Sequence, residues 1–312
     1  MSEMHTERAA TSPPVSAGSA WLMAIRPRTL PISIGPVLVG TAVAFVEGGV
    51  RTGPAIAAGL GALLLQIGSN FANDVYDFEK GADTAERIGP PRATQLGLLS
   101  PAEMKRAMVL VFALATLVGV YLTLMAGPAI IVIGVVSIAA AIAYTGGPWP
   151  LGYHGLGEVA VFIFFGLVAV LGTTFVQLGS IPALGWWTAL PVGFLASTIL
   201  VVNNLRDIET DERAGKRTLA VRLGRAGTRW EWLLLVLGSY AVPVVLWLSL
   251  DVGGWSLLPW LTSPLAYSLW RVVSVEEGGP ALNEALAGTA KLGVLFSLLF
   301  ALGISLSFGF RA

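Results

Sequence analysis

The chain has 312 residues, 55% of them hydrophobic and only 12% charged, with 19 Lys and Arg balancing 19 Asp and Glu. Soluble domains carry about 25% charged residues, so this balance and a mean hydropathy of +0.75 exclude a chain that stays soluble alone in water. Zero net charge excludes the basic surface that nucleic acid requires. The absence of cysteine excludes disulfides, thiolate nucleophiles and sulfur-ligated metals.

Residues 1–20 are polar and rich in Ser, Pro and Ala, with Glu3 and Glu7 where a secretory signal would carry positive charge. They are expected to form a disordered cytoplasmic tail, and residues 21–312 a single membrane domain. The segment WLMAIRPRTLP, which carries Arg26 and Arg28, reads as a short interfacial helix feeding the first span. Residues 30–45 and 52–73 supply two apolar spans. Between Arg106 and Arg206 the only charge is Glu158, which leaves uncharged stretches of 51 and 47 residues. Each is long enough for two crossings of about 20 residues. Residues 232–250, 252–270 and 292–310 are each uncharged for 19 residues. The pattern predicts an all-α polytopic membrane bundle of about nine transmembrane helices.

With a cytoplasmic N-terminus, 17 of the 19 basic residues fall on one side, and only Arg51 and Arg311 fall outside it. That asymmetry fits the positive-inside rule. Trp186, Trp187, Trp255 and Trp260 read as an aromatic belt. His154 reads as interfacial rather than as a base, and Glu158 follows the YTGGP loop at the interface.

Two acidic clusters stand at helix ends on the basic side. The second span ends in SNFANDVYDFEKGADTAERIGPPR and the sixth in VVNNLRDIETDERAGKRTL. Asn70, Asp74 and Asp77, with Asn73 beside them, are spaced three or four apart, as are Asn203, Asp207 and Asp211, so each set shares a helix face. Oxygen ligands without His or Cys suit Mg²⁺, which takes one or two carboxylates and is completed by water and phosphate. Arg87 and Arg92 follow the first cluster, Lys216 and Arg217 the second, and Arg in particular matches phosphate oxygens in pairs. Either cluster alone reads as a solvated helix cap. Two matched clusters in so uncharged a chain read as a site for a diphosphate. A transporter would also bury acids, but it would not need a basic set behind each cluster.

At these residues the chain resembles the UbiA superfamily of membrane prenyltransferases, within it the 1,4-dihydroxy-2-naphthoate polyprenyltransferases of menaquinone synthesis. The likeness runs from about Trp21 to Phe308 through AIRPRTLP, the two aspartate motifs, YTGGPWPLGYHGLGEVAVFIFFG and LNEALAGTAKLGVLFSLLFALG. It implies a helical bundle around a central cavity that opens sideways to lipid. It further implies Mg²⁺ held among Asn73, Asp74, Asp77, Asp83, Asp207 and Asp211, with catalysis carried by Asp77, Asp207 and Asp211. Asn73, Arg87, Arg92, Lys216 and Arg217 would bind the substrate diphosphate. The implied substrates are a polyprenyl diphosphate and 1,4-dihydroxy-2-naphthoate, met in membrane lipid, and nucleic acid has no part. Phe71, Tyr76, Tyr144 and Trp149 are the aromatic rings expected to face the prenyl cation. Enzymes of the superfamily that act on 4-hydroxybenzoate tend to carry a basic residue after the fourth span. Between Tyr144 and Glu158 this chain has only His154, which weakens that acceptor.

Overall fold

Ser16 sets the first helix boundary. In the computed structural model, which describes residues 16–83, 88–250 and 252–309, its hydroxyl accepts the N–H of Ser19 at 3.2 Å and caps α1 (Ala17–Ile25). The expected tail therefore ends sooner than residue 20, because Ala20 is already buried and Trp21 packs edge-on against Phe71. Residues 1–15, the remainder of that expectation, lie outside the described residues.

The chain continues through α2 (Ile34–Val46), α3 (Thr52–Glu79), α4 (Pro101–Ala126) and α5 (Ala129–Ala143). Next, α6 (Gly157–Val161) runs through a π-helical stretch, Phe162–Val168, into α7 (Ala169–Leu178). Then come α8 (Ala183–Arg213), α9 (Leu219–Ser249), a 3-10 segment at Gly254–Thr262, α10 (Ser263–Val273) and α11 (Gly279–Gly309). By length and apolar composition, six helices among the described residues qualify as membrane spans, or seven when α1 and the segment Leu30–Val46, bent by 44°, count as one. Nine were expected. The two that fall short are α5, with 15 residues, and the segment formed by the 3-10 turn and α10. Both segments are helical where the sequence placed spans.

The outward faces carry largely exposed Leu117, Leu124, Val132, Leu234 and Leu248, side chains matched to hydrocarbon. The chain is an integral, multi-pass membrane protein. Inside, α8 packs on α9, α3 on α4, and α11 on α2. A core of Trp232, Tyr240, Leu246, Phe296 and Phe300 fills one half, and Phe71, Met104, Met108 and Phe112 fill the other. Lipid tails are as apolar as these residues, so close fit rather than water exclusion holds such helices together. The π-helical stretch shows it: a Cβ on Gly166 would sit 2.6 Å from the Cα of Gly193 on α8.

The connections after α3, α5, α8 and α10 meet at one end of the bundle. Lys80 Nζ donates to Gly147 O at 2.8 Å, Arg217 N to Tyr153 O at 2.9 Å, and Arg229 Nε to Val273 O at 3.1 Å. The N-terminal helix joins them, since Asn70 Nδ2 donates to Ile25 O at 2.9 Å. Trp186, Trp187, Trp255 and Trp260 are exposed on elements that lie at the opposite end, where an aromatic belt belongs. Lys291, expected before the last span, lies inside α11, which starts at Gly279 because its polar first turns are helical too.

The two helices that carry the acidic motifs stop in the same way. Gly81 and Gly215 take left-handed φ values of +69° and +72°, a conformation only glycine adopts freely. The following N–H then folds back, Ala82 N onto Asp77 O at 2.9 Å and Lys216 N onto Asp211 O at 2.8 Å. This closure turns the chain sharply over the helix end. It is why Asp83 and Lys216 return to the aspartates that precede them.

Candidate active site

The last turns of α3 divide their polar residues between two faces. Asn70, Asn73 and Asp77 line a cavity in the bundle. Asp74 points away from it: its carboxylate accepts the backbone N–H of Ala93 at 3.3 Å and of Thr94 at 3.2 Å. Those bonds fasten the loop that carries Arg92, and Arg92 in turn reaches the site. Its guanidinium lies 2.8 Å from Asp77 Oδ2 and 3.0 Å from Asp83 Oδ2 and donates to the carbonyl of Asn73. Burial opposes the charge on Arg92, but Asp77, Asp83 and Asp74 outweigh it and hold its pKa above the usual value. Thr145 Oγ1 donates to Asn73 Oδ1 at 3.0 Å, and the Tyr153 hydroxyl donates to Asp77 Oδ1 at 2.7 Å. Burial first, then the neighbouring Asp77, push the Tyr153 pKa well above the usual phenol range, so it remains a donor.

Opposite, Asn203, Asp207 and Asp211 of α8 line the same cavity. Arg206, only 1% exposed, organises the first two. It donates to Asp207 Oδ1 at 2.7 Å, to Asn203 Oδ1 at 2.8 Å and to Asn283 Oδ1 on α11 at 2.7 Å. Between the two motifs stands Lys216, whose Nζ is 3.1 Å from Asp77 Oδ1 and 4.0 Å from Asp211 Oδ1. Carboxylates of both helices thus face a single cationic point, and here an ammonium occupies it. Among the described residues no three acidic or His side chains converge closely enough to hold a metal by themselves. The donors are nevertheless hard oxygens that face one cation, a set that fits Mg²⁺ completed by phosphate oxygens.

Behind this charged mouth the cavity encloses about 670 Å³. Its walls turn apolar, with Val37, Leu65, Ile138, Phe164, Phe165 and Val168. Val120, Ile131 and Val135 line it and are more than half exposed, so the cavity is open along α4 and α5, two of the apolar helices. A polar head held at the aspartates and a long apolar tail are what such a space accommodates.

The profile of the UbiA prenyltransferase family matches residues 33–286. The chain belongs to the UbiA prenyltransferase family. It is similar to the 1,4-dihydroxy-2-naphthoate octaprenyltransferase of Escherichia coli (strain K12), 40% identical over 304 residues that cover 95% of this chain and 98% of that one. A protein of the same name from Mycobacterium tuberculosis (strain ATCC 25618 / H37Rv) is 41% identical over 291 residues, covering 93% and 97%. Among solved structures, a UbiA homolog from Archaeoglobus fulgidus bound to GPP and Mg²⁺ shares the fold with a TM-score of 0.66 at 17% identity, over 92% of this chain and 100% of that one.

Within this UbiA fold most of the expected site residues come together. Asn73, Asp77, Arg92, Asp207, Asp211 and Lys216 form the mouth, and Asp83 is buried behind it, paired with Arg92. Arg87 lies outside the described residues. Arg217 does not join the mouth but lines a separate recess with Lys80, Arg222 and His154, because adjacent residues after the α8 turn project to different sides. Of the four rings expected beside the prenyl cation, only Tyr144 lines the cavity. Phe71 is core, Tyr76 packs with the same cluster, and Trp149 stacks on His154 at 4.3 Å. Tyr153, Phe164 and Phe165 take their place. Arg26, the one non-glycine residue with positive φ (57°) among the described residues, also lines the cavity, whereas Arg28 is exposed. Arg206, Asn283 and Tyr153 were not expected at the site. Only the position of Arg206, directly before Asp207, hinted at its part.

The position of Asp74 gives a test. Asp74→Asn is expected to cost about 1–3 kcal/mol of stability, because an amide offers the two N–H groups one acceptor instead of two. Protein that folds is expected to retain Mg²⁺-dependent turnover. Thermal unfolding in detergent beside activity per folded molecule checks this; unchanged stability with lost activity would make Asp74 a ligand.

Proposed function

We propose that this chain transfers a polyprenyl group from an allylic polyprenyl diphosphate to 1,4-dihydroxy-2-naphthoate, with loss of the carboxyl as CO₂, to give a demethylmenaquinol, the hydroquinone form of a demethylmenaquinone. The observation that carries the reading is the meeting of two Asn/Asp helix ends at the mouth of an apolar cavity that is open along α4 and α5. The relatives named for that activity, at 40% and 41% identity over nearly the whole chain, support the acceptor.

Asn73, Asp77, Asp83, Asp207 and Asp211 would hold Mg²⁺, which would supply stabilisation of the negative charge gathering on the departing diphosphate. Arg92 and Lys216, now paired with those carboxylates, turn to the diphosphate oxygens. Arg206 keeps Asp207 oriented, and Tyr153 does the same for Asp77. The bond between the prenyl carbon and the diphosphate oxygen breaks, and Tyr144, Tyr153, Phe164 and Phe165 shelter the allylic cation from water and attract it through their ring faces. The ring carbon that bears the carboxylate forms the new carbon–carbon bond. CO₂ then departs and leaves its bonding pair to restore the aromatic ring. Arg26 supplies a cation for the acceptor carboxylate. No side-chain nucleophile takes part.

The isoprenoid tail accounts for the setting. Each buried CH₂ is worth about 0.8 kcal/mol, so a chain of several isoprene units stays in lipid, and the enzyme must admit it from the side. The end that carries the site faces the cytoplasm, since Lys80, Arg92, Lys105, Arg213 and Arg222 gather there. The N-terminus lies on the same side, as the bond between Asn70 and Ile25 supports.

The acceptor is tested by offering one prenyl diphosphate with dihydroxynaphthoate, 4-hydroxybenzoate or homogentisate and identifying the product by mass. Only the naphthoate is expected to be prenylated. Prenylated hydroxybenzoate would reject the acceptor assignment, and no prenylated product at all would reject the function.

A further inference from the structure

Glu158 takes no part in the aspartate site, yet it is buried at 6% exposure. Its Oε1 accepts a hydrogen bond from Asn204 Nδ2 at 2.7 Å, and its backbone carbonyl accepts one from the Ser197 hydroxyl at 3.1 Å. Helix α6 is thereby tied to α8 at two points. Its second oxygen, Oε2, is buried with no hydrogen-bond partner among the described residues. Ordinary packing does not require so costly a pair, which two apolar residues of the same shape could replace at little cost.

The partner explains its place. Asn204 stands one turn before Asp207 on α8 and lines the cavity. A free amide can present either its NH₂ or its oxygen. In the structure Asn204 gives its NH₂ to Glu158 Oε1, which leaves Oδ1 of Asn204 as the atom available to the cavity. Tyr144 lines the same cavity, and its hydroxyl lies 3.0 Å from where a Cβ on Gly157, next to Glu158, would stand.

We propose that Asn204 recognises the aromatic acceptor by taking a hydrogen bond from one of its ring hydroxyls, and that Glu158 is the positioning residue that fixes the amide for that purpose. The proposal rests on the reading of the acceptor as a hydroxylated arene. It adds to the diphosphate site a second point of recognition, specific for a donor on the ring. An arene that lacks this hydroxyl leaves the Asn204 oxygen dry and unpaired, the situation in which polar sites discriminate most strongly.

The test compares dihydroxynaphthoate with its two mono-O-methyl ethers, each with the same prenyl diphosphate and Mg²⁺. For the wild-type chain one of the ethers is expected to react about 10–100-fold less efficiently, the worth of one buried hydrogen bond. Asn204→Ala is expected to raise the KM for the acceptor by a similar factor, leave the KM for the prenyl diphosphate unchanged, and bring parent and ether to within about threefold. Glu158→Gln, which frees the amide to rotate, is expected to shift the acceptor KM in the same direction by less. A rise in both KM values together, or full discrimination retained in Asn204→Ala, overturns the proposal. If that variant does not accumulate, the wild-type chain decides, because equal turnover of the parent and both ethers overturns it too. Failure to prenylate any hydroxynaphthoate would instead defeat the function reading beneath it.

Discussion

Asp77→Asn is expected to lower prenyl transfer by about a thousandfold or more while leaving the protein folded. The carboxylate is buried, at 2% exposure, and it is the one oxygen donor of the first motif in contact with Arg92, Lys216 and Tyr153 together. An amide still accepts the Tyr153 hydroxyl, and Arg92 still pairs with Asp83, so packing survives. What is lost is a charged ligand for the cation, and stabilisation of developing negative charge by a bound metal is worth several kcal/mol, with each 1.36 kcal/mol equal to a factor of about ten in rate. Rate at saturating Mg²⁺, measured beside thermal unfolding, checks the separation. Turnover within about tenfold of the parent would remove Asp77 from the ligand set.

The largest stability effect is expected at Arg92. At 8% exposure it cannot be treated as a surface ion pair, which contributes little. It is the cation between Asp77 and Asp83, and its removal leaves two buried carboxylates with Lys216 near only one of them. Breaking a buried pair from one side costs about 3–5 kcal/mol, so Arg92→Ala is expected to lower the unfolding temperature by roughly 10 °C. Arg92→Lys restores the charge but not the planar fork that spans both acids, and should recover only part of the loss. An unfolding temperature within about 2 °C of the parent for the Ala variant would mean that the two acids do not depend on Arg92.

Much of this arrangement could be read from the residues. Charge scarcity marked the spans, and the Asn/Asp spacing on α3 and α8 marked both halves of the site, because membrane helices leave few other places for acids. What the spacing could not resolve was direction at the edge of a face. Asp74 and Asp77 are three residues apart, about 60° around the helix, and only the loop that returns to Asp74 decides that one is a strut and the other faces the cavity. The same holds for Lys216 and Arg217, adjacent in sequence but divided between two recesses. In the sequence Arg206 is simply one of the 17 basic residues on the cytoplasmic side. Its burial depends on Asn283, 77 residues further along the chain, and no local pattern carries such a contact. The aromatic lining was misplaced for a similar reason. Phe71 and Tyr76 are near the motif in sequence but on the face of α3 that packs into the core, while Phe164 and Phe165 reach the cavity from the π-helical stretch.

On the proposed mechanism the aspartate mouth ionises a prenyl diphosphate, and the ring carbon which accepts the prenyl group gives up its carboxyl. Purified protein in lipid, supplied with Mg²⁺, a polyprenyl diphosphate and dihydroxynaphthoate labelled in the carboxyl carbon, measures this directly. One labelled CO₂ is expected per prenylated product, with both lost together in Asp77→Asn and Asp207→Asn. A prenylated product that retains the label, or label released without prenyl transfer, would contradict it.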